Sequence, residues 1–220
     1  MIIHHAPQGS HAWEQIRKGR ATASELNRIL TPAKLQFASG AITYAAEKAA
    51  ELLGVESPSP PPSYWMERGT ELEPYARQEF ADITGCNIRE VGFILPHEDA
   101  RFGASVDALV DDDSILEIKC PSAENLLLWH FDGVIPRDHR LQIQGGLFAT
   151  GRKRAAFVGW HPGIEPLIVW VDRDEEVIAK IADALVKFNR MVDEVLTKVR
   201  RRKTSVVWHN PDAELEGFDD

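Results

Sequence analysis

The chain has 220 residues, 44% hydrophobic and 27% charged, which predicts a globular protein with enough apolar side chains for one well-buried core. Its 34 acidic residues outnumber 25 lysines and arginines, giving a formal charge of −9. That balance excludes a protein that coats nucleic acid through bulk positive charge, so any grip on an anionic polymer must come from local patches. Two cysteines, Cys86 and Cys120, are too few for a disulfide framework, a four-cysteine zinc site or an iron–sulfur cluster, and they predict a reduced, cytoplasmic protein. The start, Met1-Ile-Ile-His-His-Ala-Pro, lacks the basic region and long apolar segment of a signal peptide. No run reaches the ~18 to 20 apolar residues of a membrane span.

In chain order, the first half reads as helical. Trp13 and Ile16 are spaced three apart behind Ser10, a candidate N-cap. Thr22 and Glu25 fit a capping box for a second helix, whose apolar face is Leu26, Ile29 and Leu30 and which stops at Pro32. A third helix is expected over residues 40–53, then a proline-rich loop over 57–63. A long helix follows over 64–84, carrying Glu71, Glu73 and Glu79 and closing at Gly85. Beyond it the periodicity shortens. Residues 87–95, 102–110 and 115–119 read as strands of a meander, the last two joined by the acidic turn 111–114. Helices over 124–131 and 137–149, strands over 154–161 and 167–171, and a final helix over 175–202 complete the pattern. The last helix carries Val177, Ile181, Leu185, Phe188, Val192 and Val195 at helical spacing. This order predicts an α+β (α/β) domain over 1–203 with a central mixed sheet, 1–84 being its mainly helical part and 85–203 the sheet core and last helix. Residues 204–220 form an acidic tail.

One cluster carries chemistry. The turn at 111–114 folds Asp107 back beside Glu117, and in a strand Glu117 and Lys119 project to one face while Ile118 points into the core. Two carboxylates and an ammonium then share a pocket at a strand end, amid Ile115, Leu116, Ile118 and Cys120. With the backbone carbonyl of Ile118 they offer the oxygen donors that magnesium prefers; Lys119 would lower the pKa of an attacking water or offset charge in a phosphorane-like transition state.

Asp-x9-Glu-x-Lys resembles the core motif of the PD-(D/E)xK nuclease superfamily, and Leu116-Glu-Ile-Lys-Cys-Pro121 resembles its form in the lambda exonuclease / YqaJ-type viral recombinase family. Three further segments are similar to that family's motifs, in the same order. They are Trp13-Glu-Gln-Ile-Arg17 followed by Ala21-Thr-Ala-Ser24, then Gly69-Thr-Glu-Leu-Glu73, and Leu141-Gln142-Ile-Gln144. The resemblance spans residues 12–148 and implies a restriction-endonuclease-like core. It implies that Asp107, Glu117 and the Ile118 carbonyl hold Mg2+ (two ions per site, Mn2+ able to substitute), that Lys119 orients the water, and that Glu73 completes the acidic site. Gln144, more than Gln142, would hydrogen-bond near the metal site. The two glutamines cannot share a helical face, so one of them is expected there. Arg17, Ser24 and Ser105, beside Trp13, resemble a pocket for a 5′-terminal phosphate, chemistry that suits a guanidinium and hydroxyls. Met66 falls where the family places an apolar wedge. Arg137, Arg140, Arg152-Lys153-Arg154 and Arg200-Arg-Arg-Lys203 are the candidate DNA-tracking cations.

The function so implied is a 5′-to-3′ exonuclease acting on the ends of linear double-stranded DNA by two-metal hydrolysis. It would release 5′-mononucleotides and leave a 3′ strand for phage-type recombination with a single-strand annealing protein. The family's ring-shaped homotrimer is implied with it. The alternatives are an endonuclease or repair nuclease of the same superfamily, and a non-catalytic DNA-end-binding accessory protein.

Overall fold

The computed structural model describes residues 1–55, 61 and 63–201. Most of the expected proline-rich loop, the cations Arg202 and Lys203, and the 204–220 tail lie outside the described residues. Strand β1 (Ile2–His4) precedes helix α1 (His11–Arg17), strand β2 (Ala21–Thr22), a 3-10 helix (Ala23–Arg28), α2 (Ala41–Leu52) and α3 (Tyr64–Thr84). Then come β3 (Ile88–Arg89), β4 (Phe93–Leu95), β5 (Phe102–Gly103), β6 (Ala108–Val110) and β7 (Ser114–Lys119). Helices α4 (Ala123–Asp132) and α5 (Arg137–Thr150), strands β8 (Arg154–His161) and β9 (Ile164–Asp172), and α6 (Glu175–Arg201) complete the order.

The centre is a five-stranded sheet in the order β3-β6-β7-β8-β9. Its pairs are antiparallel except β7 and β8, which run parallel because α4 and α5 form the crossover between them. Side chains alternate between the two faces, so each face meets a different helical layer. Ala108, Val110, Leu116 and Ile118 pack on Ala76 and Phe80 of α3. Leu109, Ile115 and Phe157 face a larger core with Leu141 and Leu147 of α5, Leu26 and Ile29, Tyr44 of α2, and Ile181, Leu185 and Phe188 of α6. The apolar stripe of α6 thus buries Ile181, Leu185, Phe188 and Val192 of the residues that its periodicity marks, with Val177 and Val195 half-buried at its ends. Helix α3 is capped by the Ser63 hydroxyl, which accepts from the Met66 N–H, and it ends at Gly85 in the left-handed conformation, φ 69°.

Four expectations are corrected. The N-terminus is a strand, β1, paired antiparallel with β4. The strand expected over 87–95 is two, β3 and β4, in different sheets. The chain passes between them at Gly92, where a Cβ would lie 2.0 Å from the Ala6 carbonyl oxygen. The stretch 102–110 divides likewise, with β5 pairing in parallel with β2. The capping box does not form: Thr22 is extended, its hydroxyl lies 3.2 Å from Ser24 Oγ, and Glu25 pairs instead with Arg28.

Candidate active site

The β6–β7 register pairs Ala108 with Leu116, so one step further along the sheet Asp107 lies opposite Glu117. The Asp107 N–H donates to Leu116 O at 3.1 Å, and its Oδ2 accepts from the Ile118 N–H. Asp107 therefore locks the open end of β6 onto β7. Since a strand residue's N–H and C=O point to the same edge, the Ile118 carbonyl lies on the Asp107 side as well. Glu117 is almost completely buried, 3% exposed. Its Oε1 accepts from Gln142 Nε2 at 2.6 Å and from Lys119 Nζ at 2.7 Å. The Lys119 side chain is 30% exposed and marks the open side of the site. Glu73 reaches in from α3 and is held by Arg77 one turn along, whose other nitrogen pairs with Glu90 at 2.9 Å.

The electrostatics are those of crowded acids. Burial, then the charges of Glu117 and Glu73, push the Asp107 carboxyl well above the usual range despite Lys119. Burial likewise raises Glu73, outweighing Arg77. Burial alone would lower Lys119, but Glu117 and Asp107 outweigh it and hold the amine as an ammonium. In the metal-free site Lys119 is thus a donor and a positive charge. Burial, then Glu73, pushes the Cys120 thiol up to about 11, which keeps it inert as a nucleophile.

This donor set fits a hard divalent cation. Asp107, Glu117 and the Ile118 carbonyl are all oxygen donors, and the mutual repulsion of the two carboxylates is what a cation between them would relieve. Among the described residues no three His, Cys, Asp or Glu side chains form a cage for a metal. Magnesium needs none, since it takes one or two carboxylates and keeps several waters.

Three residues of the second expected cluster, Trp13, Arg17 and Ser105, meet. Trp13 Nε1 donates to Ser105 Oγ at 2.9 Å, and the Arg17 guanidinium lies over the Trp13 ring at 3.9 Å. Burial lowers the Arg17 pKa, and no hydrogen bond or ion pair to a described residue compensates it. Ser24 is exposed at the start of the 3-10 helix, next to β2, and Ser105 lies just beyond β5, the strand paired with β2.

Gln144 is a correction. It turns away from Glu117, donating to Asp172 O at 2.9 Å and accepting from the Asp174 N–H at 3.0 Å, so it joins α5 to the β9–α6 turn. Gln142 occupies the place expected of it, because the two positions lie on different faces of α5. Arg152 and Arg154 are corrected too. Arg154 opens β8, five residues and roughly 16 Å along the sheet from the Lys119 end, and Arg152 lies two residues before it. There Arg152 is bonded to the carbonyls of Val110, Asp111 and Ser114, and Arg154 to Ser114 Oγ. Arg137 is exposed at the first turn of α5. Met66 is 64% exposed, two turns before Glu73 on the same side of α3.

Three residues near the site were not singled out by sequence. Arg77 had a readable signal, its i,i+4 spacing from Glu73. Arg68 donates to Cys120 O at 3.0 Å and Pro121 O at 3.3 Å, tying α3 to the end of β7. His139 stacks on Phe157. Neither of these two had a sequence signal, since their partners are far along the chain.

The YqaJ-like viral recombinase domain matches residues 12–153, a span containing every group of both clusters. The chain belongs to this family. Among solved structures it is similar to an alkaline exonuclease, LHK-Exo, from Laribacter hongkongensis. The two share 30% identity over 88% of this chain and 97% of that one, with a TM-score of 0.78. The complex of LHK-Exo with dAMP matches with the same values. A phage-related exonuclease from Haemophilus somnus 129PT shares the fold at 15% identity, covering 82% of this chain and 96% of that one, TM-score 0.63. The fold is restriction-endonuclease-like, as the resemblance implies. No curated protein matches the chain. Among the described residues no helix is long and apolar enough to cross a membrane.

Proposed function

We propose that this chain is a magnesium-dependent exonuclease that degrades linear double-stranded DNA from its 5′ ends, releasing 5′-mononucleotides and leaving a 3′ single strand. Membership of the recombinase family and the likeness to alkaline exonucleases support the exonuclease class. The observation that carries the polarity is Arg17, a half-buried guanidinium stacked on Trp13 with no hydrogen bond or ion pair among the described residues. Burial outweighs the favourable charges of Glu25, Glu51 and Glu14 around it, and a terminal phosphate offers oxygens for a bidentate grip.

In this reading Asp107, Glu117 and the Ile118 carbonyl hold magnesium, which when bound supplies Lewis-acid polarisation and an activated water. Gln142 and Lys119 fix the Glu117 carboxylate from one side. The Lys119 ammonium orients the incoming water and bears on the negative charge that grows at phosphorus. Arg77 holds Glu73 at the rim, and Met66 on the same helix side faces the path of the duplex end. The two-metal form of the reaction, the ring homotrimer and the annealing-protein partner come with the family resemblance. The exposed apolar side chains Leu127, Leu128 and Phe131 on α4 suit association with another chain.

The test is digestion of end-labelled linear duplex in Mg2+, comparing 5′-phosphate with 5′-hydroxyl ends. Closed circular duplex and a Lys119→Ala variant serve as controls. The expected result is release of mononucleotides from 5′ ends alone, abolished in the variant. Cleavage of the closed circle would point to an endonuclease, and undiminished hydrolysis by Lys119→Ala would sink the assignment.

A further inference from the structure

Helix α5 brings a second polar side chain to the site. His139 stands one turn before Gln142 on the same helix face. Its ring stacks on Phe157, with centroids 5.5 Å apart and planes at 27°, and meets Trp129 edge-on at 5.7 Å. Phe157 is the β8 partner of Glu117, so the imidazole is pinned over the sheet face from which Glu117 and Lys119 project. The ring is half-buried and makes no hydrogen bond or ion pair to any described residue.

Packing does not account for this choice of residue. A phenylalanine would fill the same aromatic cage without a donor and an acceptor to strip of water. Burial, and then the Lys119 ammonium, push the imidazole down to about 4, with Asp138 opposing, so at neutral pH it offers one N–H and one acceptor and adds no charge. A neutral donor there does not repel the ammonium, as a second cation would. It can also grip an anion together with that ammonium.

We propose that His139 contacts the substrate, its ring N–H donating a hydrogen bond to a non-bridging oxygen of the DNA phosphate that lies over Lys119. This rests on the reading of the site as a phosphodiester hydrolase. The ammonium and the imidazole hold that phosphate from two directions, which fixes its orientation better than one flexible lysine does.

The test compares His139→Phe, which keeps the stacking and loses the donor, with His139→Gln, which restores an N–H donor. Steady-state kcat and KM are measured on linear 5′-phosphorylated duplex in Mg2+, duplex affinity in Ca2+, and the melting temperature of each variant. A hydrogen bond to a charged group predicts a loss of about ten- to a hundredfold in kcat/KM and in duplex affinity for the Phe variant, with unchanged melting and partial recovery in the Gln variant. Full activity in the Phe variant would overturn the proposal. So would equal losses in both variants accompanied by lowered melting, which would make the ring a packing element. Lys119→Ala separates the two readings: a dead Lys119 variant beside a fully active His139→Phe removes this contact alone, whereas an active Lys119 variant removes the hydrolase reading beneath it.

Discussion

Gln142 and Lys119 donate to the same oxygen, Oε1 of Glu117, from 2.6 and 2.7 Å. One comes from a helix and the other from the strand itself, and together they leave Glu117 Oε2 free of protein donors among the described residues. A buried carboxylate with one oxygen fully used and the other free is oriented before any cation arrives. Gln142→Ala is therefore expected to lower kcat on linear duplex by about ten- to a hundredfold, the worth of a hydrogen bond to a charged group. Gln144→Ala is expected to leave kcat within about twofold. It should cost about 1 to 3 kcal/mol of stability, because the Asp172 carbonyl and the Asp174 N–H lose their partner. Urea unfolding beside steady-state kinetics distinguishes the two, and a reversed pattern would return Gln144 to the site.

Asp107 gives a pH signature in the metal-free protein. Its folded pKa is raised, by burial first and then by Glu117 and Glu73, so the native state binds this proton more tightly than the unfolded chain. The stability from that proton is fully present below the unfolded value, about 3.9, and is lost as pH rises through the raised folded value. In EDTA the wild type should therefore lose stability as pH rises through that raised value, while Asp107→Asn, which has no such proton to lose, should lose less and melt above it on the alkaline side. The gap should close as pH falls toward the carboxylate range. Magnesium at pH 8 should raise the wild-type melting temperature and leave the variant's nearly unchanged. Parallel melting curves for the two proteins across pH in EDTA would show that Asp107 carries no such load.

Arg17 is expected to act on end recognition rather than on chemistry. Arg17→Ala should reduce the rate ratio between 5′-phosphate and 5′-hydroxyl ends by about ten- to a hundredfold, as a charge-assisted hydrogen bond predicts. Rates on 5′-hydroxyl ends should change little. Arg17→Lys should recover only part of the ratio, since an ammonium lacks the planar fork. Initial rates on the two labelled duplexes measure it, and an unchanged ratio would remove the pocket.

Gly145 sets how closely α5 approaches the segment that carries Ser24. A Cβ there would lie 2.4 Å from Leu26 Cδ1 and 3.0 Å from the Ala23 Cβ, and Leu26 is fully buried. Gly145→Ala should therefore cost about 1 to 3 kcal/mol from overpacking, which exceeds the helix-propensity gain of about 1 kcal/mol. A variant more stable than wild type in urea would show that this contact yields easily.

Much was legible along the chain where the physics is local. The stripe of α6, the Gly85 stop of α3, and the strand that carries Glu117 and Lys119 all follow from periodicity and end chemistry. The misreadings fall where distant partners decide. The N-terminal strand exists because β4 offers it an edge, and Thr22 is extended because β5 lies beside it, which pre-empts the capping box. Arg152 read as a free cation, yet three carbonyls from the β6–β7 turn hold it.

For the site, sequence alone determined that Glu117 and Lys119 share a face, because strand geometry has a period of two, and that Asp107 can return beside them across a short acidic turn. It also determined that Gln142 and Gln144 cannot both attend the same carboxylate, because helix geometry separates positions two apart. Which of them does so depended on how α5 sits on the sheet, a matter of packing against Ile115, Leu26 and Phe157 that no local pattern encodes. The same docking placed His139 above Phe157, and the packing of α3 brought Glu73 and Arg68 to the far end of β7. Local rules name the groups that carry the chemistry; long-range burial decides which of them meet.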